Sequence, residues 1–257
     1  MTPSAVAGGR VPLAPHLYAA GNLPGTWPDA LAAASAHGEA TGAGGGRAEP
    51  AALVWLVRTE PGAGLGDLSV LDEEERRRTA AFVRPADRDT YATSHTALRR
   101  LLGALLGLDP AAIPFIREPC PRCDEPHGRP AVAGTPLHFS LSHTRDLALI
   151  AFARTPVGVD IEGLSKPETV DEVASVLHPE ERAALAALPA AERPAAFARC
   201  WTRKEAFLKG EGTGLAGNLM GTTVVGTGPE PVPVRGWEMV DVSVPSGYAA
   251  ACAVARG

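Results

Sequence analysis

Apolar and polar residues alternate without a break in the stretch VGVDIE, which begins at Val157. Because successive side chains of a strand point to opposite faces, Val157, Val159 and Ile161 would face a core. Asp160 and Glu162 would share the other face, about 7 Å apart. The pattern therefore predicts a strand whose second face, toward solvent or a cleft, carries two neighbouring carboxylates.

Other apolar stretches predict further strands. LVWLV at residues 53–57 has the continuous apolar character of a buried strand. LHFSLS at 137–142 and LALIAFA at 147–153 are joined to each other and to VGVDIE by short turn-like segments. We therefore predict that these three stretches form a meander. YAAACAVA at 248–255 predicts a final strand.

Helical patterns separate the strands. Asp72 is a candidate N-cap for the first helix, in which acidic residues precede basic ones as the helix dipole favours. A second, longer helix would end at Gly107, and the last would be stopped by Gly210 and Gly212. The predicted helices cover residues 71–83, 88–107, 178–188 and 195–210.

The order of these elements indicates a repeated architecture. Each half of the chain has a long helix, then strands, then a final apolar strand. We predict an α+β fold of two similar, pseudo-duplicated lobes, residues 51–156 and 157–257, with a site at their seam. Residues 1–50 are rich in Ala, Gly and Pro and offer little to a core, so we expect a flexible N-terminal extension.

Composition narrows the class of protein. A net charge of −5 over 257 residues gives no basic field for nucleic acid. No apolar run reaches the length of a membrane span, and the N-terminus lacks the pattern of a signal peptide. Four cysteines without a framework spacing suggest a reducing compartment. We expect a soluble cytoplasmic protein with no nucleic-acid or membrane partner.

A second group of candidate residues lies in WTRKEAFLK, which begins at Trp201. On a helical wheel Trp201, Glu205, Leu208 and Lys209 fall in one arc of roughly 100°, with Lys204 on the other edge of the apolar seam. A half-buried carboxylate there would have a raised pKa unless a cation offset it. The alternative is an ordinary surface pair of Glu205 with Lys209 at i, i+4.

Candidate anion ligands occur where a predicted strand runs into a turn. Ser142 and His143 offer a hydroxyl, an imidazole and backbone N–H groups that could hold a phosphate, and Arg129 lies upstream. Simple turn chemistry is the alternative interpretation. Asp160 and Glu162 would suit Mg²⁺, which takes one or two carboxylates and leaves other positions to water and phosphate.

Four motifs occur in order: GRP at 128–130, SLSH at 140–143, GVDIE at 158–162 and WTRKEAFLKGEGTGL at 201–215. In this the chain resembles the two-lobed 4′-phosphopantetheinyl transferases of peptide, polyketide and siderophore synthesis, over about residues 52–255. The resemblance implies transfer of phosphopantetheine from coenzyme A to a serine of an apo acyl or peptidyl carrier protein. It further implies release of adenosine 3′,5′-bisphosphate, Mg²⁺ as cofactor, coenzyme A bound between the lobes, and a monomer.

The resemblance also implies roles for the acids. Asp160, Glu162 and Glu205 match the family's metal ligands, and a glutamate near Glu181 is sometimes placed close to that metal. Glu205 matches the residue that takes the proton from the carrier serine. Lys209 matches a catalytic lysine beside the pyrophosphate.

The cations and their neighbours match the nucleotide site. Ser142, His143 and Arg129 correspond to residues around the phosphates, including the 3′-phosphate, and Asp160 and Lys209 also belong to the coenzyme A site. Arg78 corresponds to a basic residue that reaches the nucleotide. Arg76 and Arg77 remain alternatives to Arg78, because the register within a run of arginines is not fixed by the sequence.

Two other functions use the same residues. One is a different Mg²⁺-dependent nucleotide phosphotransferase or pyrophosphate hydrolase, although the sequence contains no P-loop. The other is a non-catalytic module that binds coenzyme A or a carrier protein. Such a module would have no need of a base beside a metal.

One further cluster, CPRCDEPH, brings together Cys120, Cys123 and His127 in the sequence. A structural zinc site requires four ligands, and no fourth stands out. We therefore expect a turn-rich loop with free cysteines, and we expect Cys200 and Cys252 to be core residues.

Overall fold

The computed structural model describes residues 12–19, 23–25, 52–59, 67–213 and 219–257. Within these ranges strands and helices are mixed, which confirms the predicted α+β class. The strands are β1 (His16–Leu17), β2 (Leu53–Arg58), β3 (Phe115–Arg117), β4 (Pro130–Val132), β5 (His138–Thr144), β6 (Leu147–Ala153), β7 (Val157–Gly163), β8 (Trp237–Asp241) and β9 (Tyr248–Ala255). The helices are α1 (Glu73–Ala81), α2 (Pro85–Leu106), α3 (Pro167–Val173), α4 (Pro179–Ala186) and α5 (Arg193–Glu211).

The helix boundaries follow local signals in the sequence. Asp72 caps α1 and forms a capping box with Glu75. The long helix α2 begins at Pro85, earlier than predicted, and ends at Gly107 in the left-handed conformation. Gly212 ends α5 in the same way, whereas Gly210 lies inside the helix, so the predicted stop at Gly210 is wrong. In the ranges above, none of the helices is long and apolar enough to cross a membrane.

The longer strands form two sheets. The first has the order β1-β2-β6-β5 and the second has the order β7-β9-β8, while β3 and β4 form a separate hairpin. The predicted three-stranded meander is therefore wrong, because β5 pairs with β6 but β7 pairs with β9. The reason is that β6 already has β2 and β5 on its two edges, so that no edge of β6 is left for β7.

The two sheets are stacked between the two long helices. The alternation of β2 shows the division: Leu53, Trp55 and Val57 belong to the core under α2, and Val54 and Leu56 belong to a core between the sheets. A third core joins the far face of β9 to α5. The layers are therefore α2, first sheet, second sheet and α5.

The apolar face predicted for β7 is confirmed. Val157, Val159 and Ile161 are at most 1% exposed, and they pack with Val54 and Leu56 in the core between the sheets. The opposite face of β7 does not meet open solvent but lies against α5. The two carboxylates are thus held between a strand and a helix.

The two halves share one order of elements. In the first, β2 is followed by α2, β5 and β6, and β6 lies antiparallel between β2 and β5. In the second, β7 is followed by α5, β8 and β9, and β9 lies antiparallel between β7 and β8. Strand, helix and two strands, with the last strand central, occur in both halves.

A short piece of the predicted N-terminal extension is structured. His16 and Leu17 pair with β2 in parallel, and the backbone of Leu13 exchanges 2.9 Å hydrogen bonds with Asp241 and Ser243. Composition did not predict this pairing, because backbone hydrogen bonding at a sheet edge does not depend on apolar side chains. The flexibility of the extension as a whole stays a prediction. Apart from residues 12–19 and 23–25, the extension lies outside the described residues.

Candidate active site

The edges of β5 and β7 are joined by serine hydroxyls. Ser140 Oγ accepts a hydrogen bond from the backbone N–H of Val159 at 3.1 Å, and Ser142 Oγ accepts one from Ile161 at 3.4 Å. The pairs advance along both strands in the same direction, so β5 and β7 run side by side. The seam between the two sheets therefore passes directly beside the carboxylates of β7.

A close approach of α5 to β7 brings the second motif to the same place. A Cβ atom on Gly158 would lie 1.9 Å from the carbonyl oxygen of Ala206 and 2.4 Å from the nitrogen of Gly210. Only glycine at position 158 permits this contact. The face of α5 that carries Glu205 and Lys209 is consequently held against Asp160.

Asp160 is the centre of the site. The residue is 2% exposed. Its carboxylate oxygen Oδ1 accepts hydrogen bonds from Lys209 Nζ at 2.6 Å and Ser142 Oγ at 2.7 Å. The other oxygen, Oδ2, is buried and has no hydrogen-bond partner among the described residues. The alternative of a simple surface pair does not describe Lys209, because its ammonium group reaches across to β7.

The placement of Ser142 corrects the sequence interpretation. Ser142 and His143 lie within β5, and the turn comes later, at Arg145. The Ser142 hydroxyl is buried, donates to Asp160 and accepts from Lys209 Nζ at 3.0 Å. A hydroxyl has one proton to donate, so Ser142 orients Asp160 and does not donate to a phosphate in this arrangement.

Glu162 and Glu205 are half-buried acids beside Asp160. Burial raises the pKa of Glu162, and the charge of Asp160 raises it further, although Thr144 Oγ1 donates to Glu162 Oε2 at 3.3 Å. Burial and then Asp160 also raise the pKa of Glu205, against the opposing effect of Lys209. The acids therefore form a group of like charges that Lys209 compensates in part.

This donor set fits a hard divalent cation. Three carboxylates offer oxygen ligands of the kind that Mg²⁺ prefers, and the orphan oxygen of Asp160 is one that a cation could satisfy. Among the described residues the acids do not form a closed set, since three ligand atoms within 4.8 Å of one another occur only in the cysteine loop. The structure thus brings the predicted acids together without a finished coordination sphere.

A cationic rim adjoins the acids. The pKa of His143 is lowered by desolvation and then by the charges of His95, Lys209 and Arg78. The Arg78 guanidinium lies 5.7 Å from the centre of the Tyr91 ring, which stacks on His95 at 4.0 Å. The predicted residues Arg78, His143 and Lys209 are therefore neighbours at one site.

His95 is a member of this rim that the sequence analysis missed. Its only signal is that it lies one helical turn after Tyr91 in α2, where the two rings can stack. His95 Nδ1 also contacts Glu75 at 3.0 Å. Among the three arginines, Arg76 donates to the carbonyl oxygen of Leu71, whereas Arg78 lies over the ring of Tyr91.

Arg129 joins the β3–β4 hairpin to the end of α5. Its Nε and Nη2 donate to Glu118 at 2.9 and 2.6 Å, and Nη1 donates to the carbonyl oxygen of Gly210 at 2.6 Å. The contact of Arg129 with phosphate stays a prediction. Arg129 fixes the helix end next to Lys209.

Glu181 and Lys204 form a separate buried pair. Their side-chain atoms are 2.7 Å apart, and both residues are 2% exposed. Glu181 also accepts hydrogen bonds from the backbone of Val225 at 2.8 Å and Gly226 at 3.2 Å. The carboxylate of Glu181 is therefore already engaged by Lys204 and by backbone N–H groups in the second half of the chain, and its suggested place near a metal stays a prediction.

A cleft opens beside the acids. Its walls are mostly apolar, and Glu162 lies at its edge. The cleft is lined by Glu162, Gly163, Ser165, Thr169, Val173, Phe197, Ala198 and Trp201. A slender substrate arm or a loop of a partner protein could approach the carboxylates from this side.

Comparison with known proteins gives a consistent result. A model of the 4′-phosphopantetheinyl transferase superfamily matches residues 156–231. The 4′-phosphopantetheinyl transferase HetI of Nostoc sp. is 31% identical over 213 residues, which cover 79% of this chain and 86% of that protein. A putative 4′-phosphopantetheinyl transferase of Synechocystis sp. is 30% identical over 175 residues, with 66% and 68% covered. The 4′-phosphopantetheinyl transferase Sfp of Bacillus subtilis is 30% identical over 159 residues, with 57% and 67% covered.

Proposed function

The chain belongs to the 4′-phosphopantetheinyl transferase superfamily, and from this premise we propose how its residues carry out that activity. The enzyme transfers 4′-phosphopantetheine from coenzyme A to a serine of an apo acyl or peptidyl carrier protein in secondary metabolism, releasing adenosine 3′,5′-bisphosphate. The observation that carries the proposal is the buried carboxylate of Asp160, with one oxygen on Lys209 and the other without a partner.

Binding of coenzyme A is assigned to the cationic rim. Arg78 and Lys209 carry positive charge, and both lower the pKa of the His143 imidazole, after desolvation and the charge of His95. Phosphoryl transfer depends mainly on positioning and on neutralising phosphate charge, which these side chains supply. Arg129 supports the same site indirectly, because it holds the end of the helix that bears Lys209.

The acids are assigned to a metal. Asp160, Glu162 and Glu205 would hold Mg²⁺, which when bound neutralises charge on the pyrophosphate. Ser142 and Lys209 orient Asp160 so that Oδ2 is the oxygen left for this purpose. Burial and then the charge of Asp160 raise the pKa values of Glu162 and Glu205, and a bound cation would offset both effects.

Glu205 is proposed as the general base. A serine hydroxyl is a weak nucleophile and needs an adjacent base. The pKa of Glu205 is raised by burial and by Asp160, which makes the carboxylate a better proton acceptor near neutral pH. Glu205 would take the proton from the serine Oγ, while Lys209 stabilises the charge on the departing phosphate.

The repeated order of elements supports two pseudo-duplicated lobes. We propose residues 51–156 and 157–257 as these lobes, with the active site at the seam of β5 and β7. Because one chain would supply both lobes, we propose a monomer. We also propose that the protein is cytoplasmic and does not bind nucleic acid.

The decisive experiment is to incubate the protein with coenzyme A, MgCl₂ and an apo carrier protein, and to weigh the carrier by mass spectrometry. A gain of one phosphopantetheine group supports the proposal, and the gain should be absent in EDTA. Cleavage of coenzyme A without a change in the carrier would show a hydrolase. If neither a modified carrier nor cleaved coenzyme A forms, the protein is a non-catalytic binding module.

A further inference from the structure

The loop between β3 and β4 gathers three metal-binding side chains. The sulfur atoms of Cys120 and Cys123 and a ring nitrogen of His127 all lie within 4.8 Å of one another. Cys123 Sγ and His127 Nε2 are 3.0 Å apart. The three side chains therefore lie close together. Their spacing in the sequence alone did not require this proximity.

The backbone of this loop is folded around the sulfur atoms. The N–H groups of Cys123 and Asp124 donate to the carbonyl oxygen of Cys120 at 3.3 and 2.9 Å, and Asp124 has a φ of 59°. The backbone N–H groups of Cys120 and His127 both donate to the carbonyl oxygen of Glu125 at 2.8 Å. Two tight turns thus point both thiols and the imidazole toward a common point.

Burial of apolar side chains does not explain why this loop is folded. Residues 121–127 are all exposed, and of the three candidate ligands only Cys120 is buried. A metal or a disulfide is a common means of stabilising a small structure that has little apolar core.

We propose that Cys120, Cys123 and His127 bind a zinc ion. Thiolate and imidazole are the ligands that select zinc, with bond lengths of about 2.3 Å to sulfur and about 2.0 Å to nitrogen. Sulfur and nitrogen on one tetrahedral zinc are about 3.5 Å apart on these bond lengths, so a small movement of His127 suffices. Water, or a carboxylate of Asp124 or Glu125 in the same loop, completes the tetrahedron.

A zinc ion at this loop would stabilise the neighbouring active site. His127 is followed after one residue by Arg129, whose guanidinium binds Glu118 and the carbonyl oxygen of Gly210. A zinc ion that fixes the loop would therefore fix Arg129 and, through it, the end of α5 beside Lys209. This role is separate from Mg²⁺ at the acids and does not depend on the proposed reaction.

Metal content tests the site directly. The full-length protein, purified under reducing conditions and without an affinity tag that binds metal, should contain about one zinc per chain by plasma mass spectrometry. Cys123→Ser and His127→Gln should each lose most of it. Cys252→Ala, which removes a thiol from the core between the sheets, is the matched control and should keep it. Circular dichroism checks that each variant folds.

Cobalt provides a readout of the ligands themselves. Wild-type protein and Cys252→Ala loaded with Co²⁺ should show thiolate-to-cobalt charge-transfer absorption, and Cys123→Ser should show it weakened. Zinc absent from the folded wild-type protein, together with no cobalt–thiolate absorption, would overturn the proposal. Equal zinc in wild type and Cys123→Ser, or an intrachain disulfide between Cys120 and Cys123 under reducing purification, would also overturn it.

Discussion

At the scale of single residues, Asp160 shows how a buried charge is kept. Removing a carboxylate from water is costly unless it is paired and hydrogen-bonded, and Lys209 and Ser142 meet that need at one oxygen only. The alternation of VGVDIE predicted the face on which Asp160 lies. The lysine that holds it comes from another element, at a distance along the chain that no local pattern encodes.

Asp160→Ala should abolish most of the transfer activity while the protein still folds. The apolar face of β7 is untouched by this change, and Lys209, whose side chain is 32% exposed, can turn to water once its partner is gone. Losing the central acid should lower kcat by about 10² or more, on the scale of several kcal/mol that a metal site contributes. Steady-state kinetics and a thermal melt measure the two effects, with Asp160→Asn as the isosteric control. Normal turnover by the alanine variant, or by metal-free wild type in EDTA, would contradict the assignment.

Glu205 and Arg78 should differ in the kinetic constant that they affect. A group acting only in the transition state changes kcat, whereas uniform binding changes KM alone. Glu205→Gln keeps the size but cannot take a proton, so kcat should fall by about 10² or more. Arg78→Ala should mainly raise KM for coenzyme A, and less so for dephospho-coenzyme A if Arg78 meets the 3′-phosphate; Arg77→Ala is its control. Near-normal kcat in Glu205→Gln would remove Glu205 from the chemical step.

The raised pKa values of Glu162 and Glu205 predict an unusual pH dependence of stability without metal. Both pKa values lie above the ordinary 4.5 in the folded protein, so the folded state binds protons more tightly than the unfolded state. Their favourable contribution is complete below pH 4.5 and is lost as pH rises through the raised values. In EDTA, Glu162→Gln should therefore gain stability over wild type at pH 7 and lose that advantage toward pH 4.5. Urea unfolding at both pH values measures this, and a difference that is the same at both would contradict it.

At the scale of elements, the site depends on how closely α5 approaches β7. Strand and helix positions were predictable from periodicity and capping, which are local properties. The strand that pairs with β7 was not predictable. Alternation shows which face of a strand is apolar, but it does not show which edge of a sheet is free for pairing. The serine bridges between β5 and β7 were also beyond the sequence, since Ser140 and Ser142 look the same in any strand.

Gly158→Ala tests the close approach. The new methyl group would meet backbone atoms of Ala206 and Gly210, which cannot move as a side chain can. Overpacking of this kind costs about 1–3 kcal/mol, and the shift of α5 should also lower kcat. Gly228→Ala is the control, because its Cβ would have nothing within 4 Å. Denaturant unfolding and kinetics compare the two variants, and equal stability of both would show that α5 is not packed as described.

At the scale of the whole molecule, the N-terminal piece connects the two sheets. It pairs with β2 on one side, while Leu13 forms a bridge to Val242 beside β8 on the other. Composition alone pointed to a flexible extension, because composition reflects side chains and not backbone hydrogen bonds. This piece therefore links the first sheet to the strand segment that follows β8, even though it carries none of the proposed site residues.

Deleting residues 1–50 should leave transfer measurable but lower the stability. A net contribution of about 0.5–1.5 kcal/mol for each backbone hydrogen bond gives a total loss of a few kcal/mol. A chain that begins at Pro12 is the matched control and should keep the wild-type unfolding midpoint in urea. If the larger deletion is as stable as the control, the pairing of β1 with β2 has no energetic weight. If it is folded but inactive, the segment takes part in the reaction.

The shared core between the sheets has a consequence for the synthesis of the protein. Among the strands that the structure describes, β7 pairs with β9, and β9 begins 85 residues after β7 ends, at Tyr248 against Gly163. At 5–20 residues per second on the ribosome, that interval lasts about 4–17 seconds. Throughout it, β7 is already made, but the part of the core between the sheets that Ala250, Cys252 and Val254 of β9 supply is still missing. The core between the sheets is therefore completed only by the last strand of the second sheet to be made, and we expect variants in which β9 pairs slowly with β7 to aggregate during synthesis.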